Sequence, residues 1–169
     1  MDVPIRSALG RDRRAIWVKR VLRWSATLCR NFQALLAMKE TVIELKPIPV
    51  LYVAGEQGRP YGEQAPKAFA SLEAPLATLK GRHFYGVVQN GEYRACVAIA
   101  PGDETSILAR GTLPGGRYRR IRIADWKAHR DQIGAVAADL LARGDFDPHR
   151  PLIEFYRSQR ELYMLAPVA

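Results

Sequence analysis

The sequence predicts an α+β fold of two tandem ββαββ-like repeats with pseudo-twofold symmetry, a cleft between the repeats and an additional N-terminal helix. Two stretches share one order of elements: strand, turn, strand, long helix, strand, turn, strand. The first runs from Val42 to Ala100 and the second from Ser106 to Val168. Each stretch is too small to bury a core alone, so we expect both to join in one sheet-based domain backed by two helices.

Composition and charge divide the chain into two parts. It has 169 residues, 48% hydrophobic and 25% charged, as globular proteins do. Residues 1–40 carry nine Lys and Arg against three Asp and Glu, so they hold a net +6 of the total +9. We therefore expect a basic N-terminal extension over residues 1–40 and a main domain over residues 41–169. The main domain has little excess charge, which argues against direct nucleic-acid binding.

Residues 11–40 contain no Pro or Gly and are predicted to form a basic amphipathic helix. Charged residues interrupt every window long enough to span a membrane, and no signal-peptide pattern is present. We expect the helix to dock on the main domain or on a second copy of the chain. Binding to an anionic membrane surface is a less favoured alternative, and nucleic-acid contact or a linker role also remains open. The apolar stripe comprises Trp17, Val21, Trp24, Leu28, Phe32 and Leu35.

Alternating apolar residues, turn residues and helical spacing define the elements of the first repeat. Asn90-Gly91 is a strong signal for a two-residue hairpin turn. The predicted elements are strands at 42–46 and 50–54, interrupted by Pro47 and Pro49, a helix at 63–79 ended by Gly81, and strands at 83–88 and 93–99.

The second repeat follows the same scheme. Tyr118, Arg120 and Arg122 alternate with Arg119, Ile121 and Ile123, as expected for a strand with two different faces. The predicted elements are strands at 107–112 and 117–123, a helix at 126–141 ended by Gly144, and strands at 152–156 and 162–166.

The order and spacing of several short segments resemble the GyrI-like effector-binding domain, over about residues 41–169. The resemblance rests on Pro-Gly-Gly at 114–116, Tyr-Gly-Val-Val at 85–88, Tyr-Arg-Ala-Cys-Val at 93–97, Ile-Glu-Phe-Tyr at 153–156 and Ala-Pro-Val at 166–168. It implies a concave, aromatic-lined pocket that binds hydrophobic, often cationic, small molecules. Glu154 matches the charged contact that the family has at the floor of this pocket. Arg94 stands where the family usually has an acidic residue, which adds positive charge near the sheet.

The resemblance leaves more than one function open. The chain is expected to act as a stand-alone sensor, a sequestering protein or a regulatory module for a small molecule. Some stand-alone members of the family resemble hydrolases of cyclopropane-bearing electrophiles, so an enzyme that uses Glu154 is the alternative. Inhibition of a topoisomerase by protein contact is a further one.

Glu154 is the leading candidate site residue because it is a carboxylate in an otherwise apolar strand. Removal from water would favour a cationic ligand that neutralises it, or would raise its pKa toward that of a general acid or base. Tyr156 is two residues further along and shares its face, whereas Phe155 is expected to be core beneath a helix. The alternative for Glu154 is an edge position that faces water or pairs with a nearby arginine.

Aromatic residues complete the predicted pocket, because their faces attract flat or cationic ligands. The candidate walls are Tyr85, Tyr93, Tyr118, Trp126 and Tyr163.

We expect no metal and no cofactor, because the three histidines are not grouped and no phosphate-binding glycine motif occurs. Cys29 and Cys96 form no disulfide or zinc pattern, which fits the reducing cytoplasm. Arg117, Arg119, Arg120 and Arg122 are expected to form a charged strand face rather than a nucleic-acid site.

Overall fold

The structure is a computed structural model that describes residues 39–169. The predicted N-terminal helix lies outside the described residues except for its last two positions. There the prediction is wrong, because Glu40 begins a strand. The apolar stripe from Trp17 to Leu35 and its docking stay predictions.

The described residues form eight strands and two helices, in the predicted order of elements. The strands are β1 (Glu40–Leu45), β2 (Ile48–Ala54), β3 (Phe84–Gln89), β4 (Glu92–Ala98), β5 (Ala109–Leu113), β6 (Gly116–Ala124), β7 (Leu152–Tyr156) and β8 (Glu161–Pro167). The helices are α1 (Tyr61–Glu73) and α2 (Arg130–Leu141).

All eight strands belong to one antiparallel sheet, in the order β1-β6-β8-β7-β3-β4-β2-β5. The pairing of β3 with β7 joins the two halves at the centre of the sheet. Each half also gives its first strand to the other half, since β1 pairs with β6 and β5 pairs with β2. The α+β class is confirmed, whereas the pseudo-twofold rotation between the halves stays a prediction.

The helices pack against one face of the sheet, which we call the helix face. Ala68 and Leu72 of α1 form a buried cluster with Leu51, Tyr93 and Val97 of the sheet. Helix α2 contacts β8 and buries its own Val136 and Leu140. The helix face therefore carries one layer of helices over one layer of sheet, as in other α+β domains.

The opposite face, which we call the open face, holds a second apolar cluster to which neither helix contributes. Its fully buried members include Tyr118 and Ile153, and its partly buried members include Phe155 and Tyr163. Tyr85 stacks on Phe155 with ring centroids 5.0 Å apart, and Phe155 stacks on Tyr163 at 6.2 Å. The expectation that Phe155 lies beneath a helix is therefore wrong.

Both helices are shorter than predicted. Helix α1 ends at Glu73, well before Gly81, because Pro75 has no amide hydrogen to continue the helical hydrogen bonding. Helix α2 begins at Arg130 rather than Trp126, and it ends at Leu141, before Gly144. Pro49 lies inside β2 as its second residue, where proline is tolerated near the start of a strand.

The Asn90-Gly91 turn is confirmed. Asn90 has φ 51° and Gly91 has φ 81°, and the flanking residues Gln89 and Glu92 pair across the hairpin. Two positive φ values are what a type I′ turn requires, and Asn-Gly tolerates them best. The turn fixes the register that places Tyr93 beside Val88.

A buried ion pair holds the connection between β4 and β5. Arg82 donates to Asp103 through both terminal nitrogens, at 2.6 and 3.2 Å, and also to the carbonyl of Ala98 at 3.0 Å. The amide of Ala100 donates to the same carboxylate at 2.9 Å. Both charged side chains are about nine-tenths buried, so each depends on the other for its solvation.

Candidate functional site

The candidate site begins with two residues that face each other at the centre of the sheet. Gly86 on β3 pairs directly with Glu154 on β7, and Glu154 pairs with Met164 on β8. Directly opposed residues in antiparallel strands project from the same face. Met164 is fully buried, and Glu154 is only 8% exposed. The glutamate therefore lies on the helix face, in the middle of the sheet, and not at an edge.

Two tyrosines hold one oxygen of this carboxylate. The hydroxyl of Tyr156, two residues along β7, donates to Glu154 Oε2 at 2.7 Å. The hydroxyl of Tyr93, from β4, donates to the same oxygen at 3.2 Å. Within residues 39–169, no hydrogen bond is made to Oε1. One carboxylate oxygen is thus fixed, and the other is left for a further partner.

Gly86 makes room for this arrangement. A Cβ at position 86 would overlap Glu154 Oε2 and the hydroxyl oxygen of Tyr93, and it would lie 3.1 Å from Tyr93 Cζ. The backbone of Gly86 does not need glycine for its conformation, because its φ is outside the left-handed region. Glycine weakens a strand interior and often marks a position of close approach. Here the approaching groups are a carboxylate and a phenol.

Aromatic rings pack around the two tyrosines that bond the carboxylate. The ring of Tyr156 has Phe69 of α1 on one side, 5.2 Å away between centroids, and Trp126 on another, 5.0 Å away. Phe69 also contacts Phe84, and Tyr61 at the start of α1 lies 6.2 Å from Tyr93. Glu154 is therefore the acidic group of an aromatic cluster that includes residues from α1, from three central strands and from the turn before α2.

A tight turn after β6 positions Trp126. Asp125 adopts a left-handed conformation with φ 45°, which Asp tolerates better than most residues. Its amide donates to the carbonyl of Arg160 at 2.6 Å, and its carboxylate accepts from Arg160 Nε at 2.8 Å. Trp126 Nε1 donates to the carbonyl of Ser158 at 3.1 Å. These contacts tie Trp126 to the β7–β8 turn and direct its ring toward Tyr156.

Burial sets the electrostatics of the site. Burial raises the pKa of the Glu154 carboxyl, and the hydrogen bonds from Tyr156 and Tyr93 only partly offset this effect. Within residues 39–169, no basic side chain pairs with Glu154 or lowers its pKa. Burial and the neighbouring Glu154 raise the pKa of both tyrosines. The phenols therefore remain protonated donors, and the ionised carboxylate lacks a countercharge among the described residues.

The structure brings together four of the seven predicted site residues. Glu154, Tyr156, Tyr93 and Trp126 share the helix face. The remaining three lie on the open face. Side chains alternate between the two faces along each strand, and these three project from the face opposite to that of Gly86, Glu154 and Met164. Those three are Tyr85, Tyr118 and Tyr163.

Four site residues were absent from the predicted pocket: Tyr61, Phe69, Phe84 and Gly86. Phe84 could have been found, since it precedes Gly86 by two residues on the same strand face. Phe69 lies within the helix predicted at 63–79, but the sequence does not reveal that this helix contacts Tyr156.

Four arginines near the sheet are occupied by contacts within the protein. Arg94 projects to the open face, where it lies over Tyr52 and pairs with Glu92 at 2.8 Å, so its charge is directed away from Glu154. The predicted charged strand face of β6 is divided between both sides of the sheet. Arg119 pairs with Glu40 and Asp145, Arg120 bonds Thr41 and covers Tyr163, and Arg122 pairs with Glu161.

Residues 39–169 contain neither a metal-binding cluster nor a helix that could span a membrane. In that part of the chain, no three His, Cys, Asp or Glu side chains are arranged to hold a metal ion. Neither of its helices has the length and apolar character that crossing a bilayer requires.

Solved structures with low sequence identity share this fold. The integron cassette protein VCH_CASS2 from the mobile metagenome of Vibrio cholerae superimposes with a TM-score of 0.60 at 13% identity, over 78% of this chain and 97% of that one. SAV2435 bound to tetraphenylphosphonium gives 0.54 at 14% identity, over 78% and 94% of the two chains. The EcmrR C-terminal domain gives 0.52 at 9% identity, over 79% and 98%.

These similarities confirm the resemblance found in the sequence: the chain has the GyrI-like effector-binding fold. No family model matches the chain, and no curated protein matches it either.

Proposed function

We propose that this protein binds a lipophilic monocation between the helices and the sheet, with Glu154 as its countercharge. The observation that carries the proposal is a buried carboxylate with no basic partner among residues 39–169, bonded by two tyrosines that belong to an aromatic cluster. A buried unpaired charge is costly, and a cation that carries its own apolar surface removes that cost. Aromatic faces add cation–π attraction of about 0.5–2 kcal/mol each.

The known structures of the same fold support this proposal. SAV2435 was solved with tetraphenylphosphonium bound, an aryl-substituted cation of the kind that an aromatic cluster and one carboxylate would accept. The EcmrR C-terminal domain belongs to a protein that was also solved in complex with DNA. By analogy, the present domain would act as a sensor or regulatory module, or would sequester its ligand.

The test is a titration with tetraphenylphosphonium, followed by calorimetry or by the fluorescence of the three tryptophans, one of which is Trp126. Glu154→Gln keeps the shape of the side chain and removes its charge. We expect this variant to bind at least about thirtyfold more weakly, since losing one partner of a buried charge pair costs about 2 kcal/mol or more.

Glu92→Gln is the matched control. Glu92 lies next to Tyr93 on β4, but it projects from the open face and pairs with Arg94. It should leave the affinity unchanged. Equal affinities for wild type and Glu154→Gln would remove Glu154 from the binding site.

Hydrolysis of an electrophilic small molecule is the second candidate. One observation favours it: two phenols fix Oε2 of Glu154 while Oε1 is left without a hydrogen bond among the described residues. A carboxylate held in this way, with a raised pKa, is suited to positioning and deprotonating a water molecule. Turnover of a cyclopropane-bearing electrophile should then fall by about 10²–10⁴-fold in Glu154→Gln. Absence of turnover by the wild type across a panel of such compounds would leave binding as the function.

A further inference from the structure

We infer that Gly86 is the positioning residue of the site: its missing side chain lets Glu154 and Tyr93 meet, and this contact gives the site its preference for cations over neutral ligands. The inference rests on the proposed function for its ligand, but its structural basis does not depend on it. Gly86 has no side chain that could contact the ligand, so it acts only through Glu154 and Tyr93.

The usual reasons for a glycine, a turn or a left-handed backbone conformation, do not apply to Gly86. It lies in the interior of a central strand, paired with Ala95 on one side and Glu154 on the other. Its φ is not in the left-handed region, so any residue could adopt its backbone conformation. Space disfavours a larger residue, because even one methyl group would overlap Glu154 Oε2 and the hydroxyl of Tyr93, and these two side-chain ends would have to shift.

An added methyl group would separate these two groups. Glu154 would lose the hydrogen bond from Tyr93 while it stayed buried, so the ionised carboxylate would lose a donor without gaining water. Hydrogen bonds to the ionised form lower a carboxyl pKa. In Gly86→Ala the pKa of Glu154 should therefore rise further, and the carboxylate should be a poorer countercharge near neutral pH.

The charged and titratable groups around Glu154 come from every element packed against it. They are Tyr93 on β4, Tyr156 on β7, Tyr61 on α1 and Arg130 at the start of α2. Both tyrosines bonded to Glu154 have raised pKa values and stay protonated across the neutral range. His129 lies in the same turn as Trp126, so a change of affinity between mildly acidic and neutral pH reports on Glu154 where the Glu154→Gln variant lacks it.

The experiment compares two probes, the cation tetraphenylphosphonium and the neutral triphenylphosphine oxide. Gly86→Ala should bind the cation about tenfold more weakly, the equivalent of one lost hydrogen bond to a charged group. Its affinity for the neutral probe should change by less than about threefold. The pH at which cation binding is half lost should rise, and Gly86→Ala should have little further effect in the Glu154→Gln background.

The matched control is Gly134→Ala in α2, where an added Cβ meets nothing within 4 Å. It should bind both probes as the wild type does. Wild-type cation affinity and an unmoved pH midpoint in Gly86→Ala would overturn the inference, and so would an equal loss of both probes by a folded variant. If Gly86→Ala does not fold, Tyr93→Phe removes the same hydrogen bond without adding volume. It should reproduce the loss of cation affinity and the higher pH midpoint, and wild-type values for both would overturn the inference.

A ligand-independent measurement separates this inference from the proposed function. Carbon-detected NMR of the glutamate carboxyl groups gives the pKa of Glu154 in wild type and Gly86→Ala. If the wild type binds no tetraphenylphosphonium, the proposed ligand class fails, but a higher Glu154 pKa in Gly86→Ala still supports the positioning role. An identical Glu154 pKa in both proteins overturns it.

Discussion

Replacing Glu154 by glutamine should change how the stability of the ligand-free protein depends on pH. Burial raises the folded-state pKa of Glu154 above its ordinary value of 4.5. A raised pKa means that the folded protein holds this proton more tightly than the unfolded chain. The stabilisation that follows is fully present below pH 4.5 and is lost as pH rises through the folded-state pKa. Glutamine does not titrate, so the variant lacks this dependence.

The magnitude follows from one proton at one site. Between the unfolded and folded pKa values, the free energy of unfolding falls by at most about 1.4 kcal/mol per pH unit. For a domain of this size that slope corresponds to roughly 3 to 10 °C in Tm per pH unit. The stability of Glu154→Gln relative to wild type should therefore increase as pH is raised from acidic to neutral, and the carboxylate should be a cost to the ligand-free fold.

Thermal melts of both proteins across a pH series measure this effect. Other titrating groups cancel in the difference between wild type and variant. Glu92→Gln, which removes a partly exposed carboxylate from the open face, controls for the general effect of changing net charge. A difference between wild type and Glu154→Gln that stays constant from about pH 4 to about pH 8 would refute the reasoning, because it would show that Glu154 has no raised pKa in the folded state.

Three further outcomes follow from the same structure. Tyr156→Phe should weaken cation binding more than Tyr93→Phe in the titration above, because its hydrogen bond to the carboxylate is shorter, 2.7 against 3.2 Å; the reverse order would contradict the geometry. Asp103→Ala should lower the free energy of unfolding by about 3–5 kcal/mol in urea titrations, since it leaves Arg82 buried and unpaired; a loss below about 1 kcal/mol would mean that the pair is solvated. Burial raises the pKa of the Cys96 thiol to about 12, so in a Cys29→Ser background a thiol reagent should label it only after denaturation.

The order of elements could be predicted because it depends on local patterns. Apolar alternation marks the strands, and the Asn90-Gly91 pair specifies its turn by backbone conformation alone. Helix ends were less accurate, since Gly81 is a common stop signal but Pro75 acts earlier in the chain. The exchange of β1 and β5 between the halves could not be predicted, because local patterns do not specify which distant strand an edge will pair with.

The site was only partly predictable for a related reason. Glu154 and Tyr156 share a face by strand alternation, which a sequence reveals. Tyr93 joins them across two strands, and this contact depends on the register of β3 with both neighbours and on the empty space at Gly86. Tyr85 and Tyr163 are tyrosines in strands, as Tyr93 is, but their side chains project from the opposite face of the sheet. The presence of aromatic residues alone therefore could not show which of them lie near Glu154.

The pairing of Gly86 with Glu154 explains how a fold with two similar halves can hold a single buried charge. Each residue is the third of the third strand in its half, and the two face each other across the centre of the sheet. Glutamates at both positions would place two carboxylates in one buried space, and one of them would stay protonated. Glycine at one position leaves a single carboxylate and makes room for the Tyr93 hydroxyl. The single charge of the site therefore results from a difference between the two halves and not from their similarity.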